Sequence, residues 1–360
     1  MDKATPLLAE HRRLGAKLTE FSGWDMPLQY TGVIAEHNAV RTSVGVFDVS
    51  HLGKLRVSGW GAEEALQLAV TADIAALAPG RATYALVLND DGGCVDDIFV
   101  YRLSDEWLVV PNAANVDAVA ASIGSGDDVT VEDAWDRWAI LAVQGPKAFD
   151  VVAALWPEAE AEGLPLHGFA IVDFGDDMGL IARTGYTGEP GVEVYVPSAA
   201  APDAFAKLLD AGAVPVGLGA RDTLRLEMGY ALYGHEITTE IDPLEAGLGW
   251  AIKWDAPFRG RDALAKVKEE GPARKLFGIR CRDRGVPRQG YEVFGEQDLG
   301  VVTSGNFSPT LQTGIALALG PRATAPSEGD AVTIEARGRR IAGDIVRPPF
   351  VDRGKKRPTS

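Results

Sequence analysis

The hydrophobic pattern changes repeatedly between strand-like and helix-like periods, and one strand-like run carries two acidic residues. Residues 94–101 are rich in β-branched and aromatic side chains and follow the turn-forming residues 89–93, which predicts a hairpin with residues 84–88. Because side chains alternate faces along a strand, Asp96 and Asp97 point to opposite faces. A carboxylate is therefore buried whichever face of the strand packs into the core. Such burial is costly without a partner, so the strand carries either a structural hydrogen bond or a functional acid.

A second acid, Glu193, interrupts an apolar strand further along the chain. It follows the glycine-rich residues 184–191, which allow a sharp turn or a close approach of the backbone to another group. Arg221 lies near the start of the helix predicted at 217–230, where the helix dipole disfavours a cation. Arg221 is therefore a candidate for pairing with a ligand, and a salt bridge to a nearby acid is the structural alternative. Two acids at apolar positions favour a functional site, since each costs stability unless it is satisfied.

The rest of the N-terminal pattern predicts short helices and strands in alternation. A strand with two tryptophans on one face is expected at residues 248–254. His51 ends the strand at 44–51 and is expected to be a structural hydrogen-bond donor. A catalytic triad has no support, because no serine or cysteine lies in a nucleophile-elbow motif. Helices are expected at residues 7–20, 34–41, 61–70, 116–123, 147–155 and 201–212.

The pattern changes after Gly271 and Pro272, which end a helix and indicate a domain boundary. Short strands separated by turns follow, and they predict a small all-β domain, a barrel or a jelly roll. These strands are expected at residues 276–281, 291–294, 300–303, 314–319, 331–336 and 340–345. The chain ends in a basic tail.

Composition narrows the classes of function. The 360 residues are 46% hydrophobic with a formal net charge of −16, which suits a globular protein of two or three domains and disfavours nucleic-acid binding. Cys94 and Cys281 are the two cysteines, and neither has a partner at metal-ligand spacing. No GxGxxG or Walker A motif indicates a nucleotide site. Without a signal-peptide pattern or an apolar stretch of about 18 residues, the cytoplasm is the expected compartment.

Six segments add a more specific signal. They are residues 20–27 (EFSGWDMP), 45–51 (GVFDVSH), 92–97 (GGCVDD), 183–189 (RTGYTGE), 217–225 (GLGARDTLR) and 303–309 (TSGNFSP). In this order they resemble the aminomethyltransferase, or T-protein, family of the glycine cleavage system, and the resemblance runs over residues 14–350.

The resemblance implies an α+β fold, a three-domain cloverleaf with a central folate channel and a C-terminal all-β domain of barrel or jelly-roll type. It implies a folate-binding aminomethyltransferase region at 1–271, a β-barrel domain at 272–352 and a basic tail at 353–360. The first region would consist of two interleaved α+β domains, roughly 1–53 with 136–215 and 54–135 with 216–271.

The resemblance also implies a reaction. An aminomethyl group on the lipoyl arm of the H-protein would give its one-carbon unit to tetrahydrofolate, a co-substrate. The products would be 5,10-methylenetetrahydrofolate, ammonia and dihydrolipoyl H-protein. No metal is implied, and the partners would be the lipoylated H-protein, with the P- and L-proteins in the same system.

Family roles can be carried over to particular positions. The resemblance makes Asp96 the catalytic carboxylate, which would orient the nucleophilic amine and stabilise positive charge or accept a proton. Glu193 resembles the acid at the pterin edge, where adjacent N–H donors suit a carboxylate. Arg221 matches a ligand-contacting arginine. Cys94 stands where an aliphatic residue is expected, a small change that should not disable Asp96. The residues that would line the site are Tyr186, Asn112, Tyr84, Tyr230 and Trp250.

Two other functions share this fold. A folate-dependent demethylase of a methylated amine or sulfonium compound would differ mainly on the substrate side. A non-enzymatic folate-binding protein of iron–sulfur maintenance would carry a Lys-Gly-Cys-Tyr motif near residues 258–261, where this chain has no cysteine. A fused oxidase is excluded, since the chain has no flavin-binding region. Four basic residues of the tail are hypothesised to contact an acidic H-protein surface, namely Arg353, Lys355, Lys356 and Arg357.

Overall fold

The computed structural model describes residues 3–175 and 177–353. Three of the four tail residues expected to contact a partner, Lys355, Lys356 and Arg357, lie outside the described residues. Within those two ranges, no helix is both long and apolar enough to cross a membrane.

The helices of the described residues are short and mostly amphipathic. The segment 7–20, expected to be one helix, is instead a six-residue helix followed by a strand, because Leu14 and Gly15 end the helix and Gly15 adopts a positive φ of 73°. The helices are α1 Leu8–Arg13, α2 Val33–Thr42, α3 Ala62–Ala69, α4 Val116–Ile123, α5 Ala148–Leu155, α6 Ala201–Asp210, α7 Leu218–Glu227 and α8 Arg261–Glu270.

The strands of the first two thirds of the chain are β1 Lys3–Ala4, β2 Lys17–Phe21, β3 Trp24–Gln29, β4 Gly45–Asp48, β5 Leu55–Ser58, β6 Arg81–Leu88, β7 Cys94–Arg102, β8 Trp107–Val110, β9 Thr130–Asp133, β10 Trp138–Gln144, β11 Phe169–Asp173, β12 Met178–Ala182, β13 Gly191–Pro197 and β14 Val214–Val216. The strands after α8 are β15 Arg274–Cys281, β16 Glu292–Phe294, β17 Asp298–Ser308, β18 Thr313–Pro321, β19 Ala331–Ala336 and β20 Arg339–Val346.

A six-stranded sheet has the order β11-β12-β13-β10-β4-β14. Its strands come from residues 45–48 and 138–216, so the chain leaves this sheet and returns to it. One face is covered by α5 and α6, whose buried Val152 and Phe205 pack with Val192 and Val194 of β13. The other face carries the polar side chains of β13, so the hydrophobic core holds one side of the strand fixed.

A five-stranded sheet has the order β6-β7-β8-β5-β9. The hairpin predicted from the sequence is confirmed, since β6 and β7 are neighbours in this sheet. In the connecting turn, the Oδ1 atom of Asn89 accepts hydrogen bonds from the backbone of Asp91 at 3.1 Å and of Gly93 at 2.8 Å. Gly93 is required by close approach, since a Cβ there would lie 1.9 Å from the carbonyl oxygen of Thr239.

The C-terminal strands form a closed barrel in the order β15-β18-β17-β16-β19-β20. The all-β expectation is confirmed, and of its two forms the structure has the barrel. Its interior is apolar, with Ile279, Val293, Ala316 and Ile334 fully buried. Closure leaves no unpaired sheet edge.

Residues 248–254 do not form the predicted strand. Gly249–Ala251 is a 3-10 helix, and Lys253 donates its backbone N–H to the carbonyl of Thr71 at 2.8 Å. Glycines at 247 and 249 favour a tight turn, and Gly247 has a positive φ of 73°. The two tryptophans therefore do not share one face of a strand.

The chain divides into two compact units by its internal contacts. The first consists of Met1–Leu66, Ile74–Tyr84 and Ile98–Asp222, and it holds the six-stranded sheet. The second consists of Gln67–Asp73, Ala85–Asp97 and Thr223–Ser360, and it holds the barrel.

A buried charge cluster ties β4 to the N-terminal segment within the first unit. The Oδ2 atom of Asp48 lies 2.8 Å from Nε2 of His11 and accepts a hydrogen bond from Thr5 at 2.6 Å, while Oδ1 accepts the backbone N–H of Ser50 at 2.9 Å. The Tyr30 hydroxyl lies 2.9 Å from Nδ1 of His11. Burial alone would raise the pKa of Asp48, but the hydrogen bond and charge of His11 and the Ser50 and Thr5 hydrogen bonds lower it to about 2.

We expect Asp48→Asn to reduce the loss of unfolding free energy that the parent protein shows as the pH falls. Because the folded pKa of Asp48 lies below the ordinary 3.8, its charge stabilises the folded state above that pH. This contribution, on the order of 2 kcal/mol, is lost as the pH falls towards the folded pKa. Urea unfolding between about pH 6 and about pH 2 measures it. The control is Asp262→Asn, whose side chain is 99% exposed. The assignment would be contradicted if the unfolding free energy of Asp48→Asn fell with decreasing pH as steeply as that of the parent.

Candidate functional site

The polar face of β13 carries the acid singled out from the sequence. Val192 and Val194 point into the apolar core, so the alternation of the strand turns Glu193 and Tyr195 to the opposite face. Both side chains are buried there, and Glu193 is only 8% exposed. The prediction that an apolar strand carries a buried carboxylate is confirmed at this position.

Hydroxyl groups surround the carboxylate of Glu193. Thr184 donates a hydrogen bond of 2.6 Å to Oε2 of Glu193, and Tyr195 donates one of 2.9 Å to the Tyr101 hydroxyl. The Thr184 hydroxyl also hydrogen-bonds to Tyr101. Burial, together with the negative charge of Glu193, raises the pKa of Tyr101, so its hydroxyl stays protonated. The hydroxyls thus form a chain that ends on one oxygen of Glu193.

Arg221 lies in the first turns of α7 and acts on the same carboxylate. Burial lowers the pKa of Arg221, and the negative charge of Glu193 partly opposes this. Burial likewise raises the pKa of Glu193, opposed by the Thr184 hydrogen bond and the charge of Arg221. The guanidinium of Arg221 lies 4.8 Å from the ring centre of Tyr186, a cation–π contact. The structure therefore brings together Glu193, Arg221 and Tyr186, three of the residues expected to contact a ligand.

The glycine-rich segment that carries Tyr186 is held from two sides. Gln144 donates to the carbonyl oxygens of Thr184 and Val192, both at 3.2 Å, and accepts from the Thr187 hydroxyl at 2.9 Å. A Cβ at Gly185 would lie 2.1 Å from Oε1 of Gln144, so only glycine fits. These contacts fix the backbone on both sides of Tyr186.

A buried ion pair holds the other side of this segment. The guanidinium of Arg41 donates to Oε1 of Glu189 at 2.8 Å and to the carbonyl of Thr187 at 2.7 Å. Both side chains of the ion pair are at most 5% exposed. A desolvated pair of this kind fixes geometry, because neither charge has water as an alternative partner.

Two further expected lining residues lie in the first unit. Tyr84 packs edge-on against Phe99, with ring centres 5.8 Å apart. Asn112 lies two residues after the end of β8 and is partly exposed. The role of both residues in binding stays a prediction.

Asp96 belongs to the second unit, where the start of β7 is anchored to a loop. The backbone N–H of Cys94 donates to the carbonyls of Thr238 at 3.0 Å and Ile241 at 3.1 Å. Asp96 is fully buried on the face it shares with Cys94, whereas Asp97 is half-buried on the other face. Burial and the nearby charge of Asp96 raise the pKa of Tyr233. The buried carboxylate expected in this strand is therefore Asp96, and Tyr233 is its neighbour.

The other two expected lining residues are also in the second unit. Tyr230 follows α7, and its backbone exchanges hydrogen bonds with Arg225, as N–H donor at 3.0 Å and as carbonyl acceptor at 3.1 Å. Trp250 lies in the 3-10 helix and is 41% exposed. Its role in binding stays a prediction.

Sequence reasoning missed the hydroxyls that serve Glu193. Thr184 stands inside a recognised segment, but only the paired geometry of β12 and β13 shows that it reaches the acid. Tyr101 and Tyr195 are far apart in sequence and meet only in the fold. The available signal was alternation: Tyr195 shares a strand face with Glu193.

His51 differs from expectation. Its ring is 4% exposed, and among the described residues Nδ1 has no hydrogen-bond partner. A structural donor role was predicted for it, and that role does not account for a buried nitrogen without a partner. Among the described residues, no group of three or more His, Cys, Asp or Glu is placed to hold a metal ion.

Comparison with known proteins gives matches over nearly the whole chain. Residues 7–256 match the family model described as the GCVT N-terminal domain, and residues 274–352 match the glycine cleavage T-protein C-terminal barrel domain. The chain is 47% identical over 355 residues to an aminomethyltransferase of Mycobacterium avium (strain 104), with 96% of each chain covered. It is 44% identical over 358 residues to the aminomethyltransferase of Halothermothrix orenii, covering 97% of this chain and all of the relative.

A solved structure agrees with these matches. The glycine cleavage system aminomethyltransferase T from Bartonella henselae superimposes with a TM-score of 0.90 at 36% identity, covering 98% of both chains. The mixed helix-and-strand architecture and the terminal barrel are thus those of a known fold.

Proposed function

The chain belongs to the aminomethyltransferase family of the glycine cleavage system, the T-protein family, and on that premise we propose how its residues carry out the reaction. The aminomethyl carbon on the lipoyl arm of an H-protein passes to tetrahydrofolate. The carbon–sulfur and carbon–nitrogen bonds break, and bonds form to N5 and N10 of the folate. The two N–H protons of the folate end on the sulfur and on the departing ammonia, so the reaction balances without an oxidant.

One observation carries the folate-binding part of the proposal: the buried carboxylate of Glu193 lies within electrostatic range of Arg221, whose guanidinium stacks on the ring of Tyr186. A pterin presents a ring N–H and an amino group side by side, and a carboxylate accepts both in parallel. Thr184 occupies Oε2 of Glu193 from the protein side and orients the carboxylate. Tyr186 gives an aromatic face for a flat ring. We propose that Glu193 and Arg221 bind the pterin edge.

We propose that Asp96 stabilises positive charge as the carbon is transferred. A carboxylate in a fully buried position has a strong field, because little water screens it. The attacking amine already has a lone pair, so orientation and charge stabilisation suffice and full proton removal is not required. Tyr233, whose pKa responds to Asp96, is a second polar group beside it.

The demethylase and the iron–sulfur maintenance protein are not favoured. Curated relatives at 44–47% identity over nearly the full chain are aminomethyltransferases. The sequence also lacks a cysteine at residues 258–261.

The test of the proposed function is a product assay with aminomethylated, lipoylated H-protein. Ammonia and 5,10-methylenetetrahydrofolate should form in equal amounts, and their formation should depend on tetrahydrofolate. The same H-protein without its lipoyl group is the control and should give neither product. Folate binding without turnover of this substrate would redirect the search to methylated amines and sulfonium compounds.

The basic tail supports a further proposal about H-protein docking. Local positive charge can steer an acidic partner even though the chain has a net charge of −16. Neutralising Arg353, Lys355, Lys356 and Arg357 together should weaken H-protein binding and reduce its dependence on salt, measured by titration at two ionic strengths. Neutralising the exposed Lys266 and Lys268 of α8 is the control. Unchanged affinity and salt dependence would refute the docking role.

A further inference from the structure

His51 is a buried polar residue that the fold does not satisfy. It follows β4, where the backbone N–H of Val49 bonds to the carbonyl of Ile140 at 3.0 Å, so its position is set by the sheet. The edge of Phe21 packs against the imidazole at 5.5 Å between ring centres. Nδ1 is buried, and no described residue hydrogen-bonds to it. Such unsatisfied buried groups are rare in folded proteins, and a bound ligand can supply the missing hydrogen bond.

The imidazole of His51 is neutral at physiological pH. Burial lowers its pKa first, the charge of Arg221 lowers it further, Lys54 adds to this and Asp48 opposes it, and the result is a pKa of about 3. A neutral imidazole has one N–H donor and one lone pair. Because no residue in the described part of the chain bonds to Nδ1, a ligand can select the ring tautomer and the flip about χ2.

His51 belongs to the same group of side chains as the proposed pterin site. It is close enough to Arg221 for that charge to lower its pKa, and Arg221 in turn lies beside Glu193 and Tyr186. All four residues lie in the first unit. A polar side chain that is more than nine-tenths buried, and whose Nδ1 no described residue hydrogen-bonds, therefore lies within range of the charge of Arg221.

The chemistry of a 2-amino-4-oxopteridine edge matches this order of groups. The edge presents an amino donor, a ring N–H donor and then a carbonyl acceptor. A carboxylate takes the two donors, and the carbonyl oxygen then needs a donor from the next group along the wall. Arg221, whose charge acts on Glu193, and the imidazole of His51, which lies within range of Arg221, can supply such donors.

We propose that His51 is a ligand-contacting, specificity-determining residue that donates a hydrogen bond to the 4-oxo group of the bound pterin. The inference rests on the proposed folate site. Binding then satisfies a buried polar group that is unpaired in the free protein, and a ligand with a donor at the 4-position leaves it unpaired.

The test compares two ligands and three proteins. Kd values for tetrahydrofolate and for 4-amino-4-deoxytetrahydrofolate, which has a donor in place of the oxo acceptor, are measured for the parent, His51→Phe and His51→Gln. His51→Phe should weaken tetrahydrofolate binding about tenfold and leave the 4-amino analogue within about twofold, so that discrimination falls. His51→Gln, which keeps an N–H donor of similar reach, should recover part of the loss.

Thermal unfolding of the free proteins separates this role from a structural one. His51→Phe should keep or raise the Tm, because it replaces an unsatisfied buried nitrogen with apolar carbon. The matched control, His37→Phe at another buried histidine that has partners, should lower the Tm.

The outcomes are distinct. If the parent binds tetrahydrofolate and His51→Phe binds both ligands like the parent, the inference is wrong and the proposed function stands. A lower Tm in His51→Phe with unchanged discrimination would likewise assign His51 to structure and overturn the inference. If the parent binds no tetrahydrofolate, the proposed function fails and the inference fails with it.

Discussion

Asp96→Asn is expected to lower kcat for one-carbon transfer by about 10²–10³-fold while the Kd for tetrahydrofolate stays within about threefold. Asparagine has nearly the same shape, so it fits the fully buried position of Asp96. It lacks the negative charge that stabilises the developing cation. A group that acts only as charge builds up affects the rate far more than it affects ground-state binding.

The measurement is single-turnover formation of 5,10-methylenetetrahydrofolate, with binding determined separately by titration. The matched control is Asp97→Asn, one residue along β7 on the opposite, half-buried face; its kcat should stay within about threefold of the parent, since surface-facing changes have small effects. Parallel losses of binding and rate in Asp96→Asn would give the residue a structural role instead.

The sequence made a buried carboxylate predictable in β7 and in β13, because acids interrupt apolar strand patterns there. In β7 the pattern left open which acid is buried, and packing decided for Asp96 because its face also carries the fully buried Cys94, Ile98 and Val100. In β13 Glu193 was the one acid inside an apolar strand, and alternation explains why it faces away from Val192 and Val194. Period-two alternation is a local property, so it can be recognised in the sequence without knowledge of the tertiary structure.

Two of the predicted elements were wrong. Both lie in segments whose apolar residues follow neither a clear helical period nor a clear strand period. Residues 7–20 contain helical spacing, yet Gly15 breaks it and Lys17–Phe21 pairs with β3. Residues 248–254 are as apolar as a strand, but the glycines around Trp250 favour a 3-10 turn. In both segments, glycine residues favour a backbone conformation that the hydrophobic pattern did not predict.

The partners of the candidate residues depended on long-range contacts and could not be predicted. Tyr101 and Tyr195 are 94 residues apart in sequence and share a hydrogen bond. Arg41 and Glu189 are 148 apart and form a buried ion pair. His51 shows the converse, because only the hydrogen bonds of the folded structure show that Nδ1 has no partner among residues 3–175 and 177–353.

Arg41→Met is expected to lower the free energy of unfolding by about 3–5 kcal/mol, because it removes the guanidinium that forms a desolvated ion pair with the buried carboxylate of Glu189. The guanidinium also holds the carbonyl of Thr187. The same variant should therefore loosen the segment that carries Tyr186 and weaken tetrahydrofolate binding. Urea unfolding and ligand titration measure the two effects.

A double-mutant cycle identifies the cause of this loss. Adding Glu189→Gln to Arg41→Met removes the buried negative charge that has lost the Arg41 guanidinium, so the double variant should be more stable than Arg41→Met alone. The matched control is Arg13→Met, which breaks an ion pair of 2.7 Å with Glu10 at a site where the arginine is 60% exposed; it should cost no more than about 1 kcal/mol. The two arginine variants thus compare one interaction at two degrees of burial. Two outcomes would contradict the view that desolvation makes the Arg41–Glu189 ion pair hold the segment that carries Tyr186. One is an equal loss of unfolding free energy in Arg41→Met and Arg13→Met. The other is a double variant that is less stable than Arg41→Met.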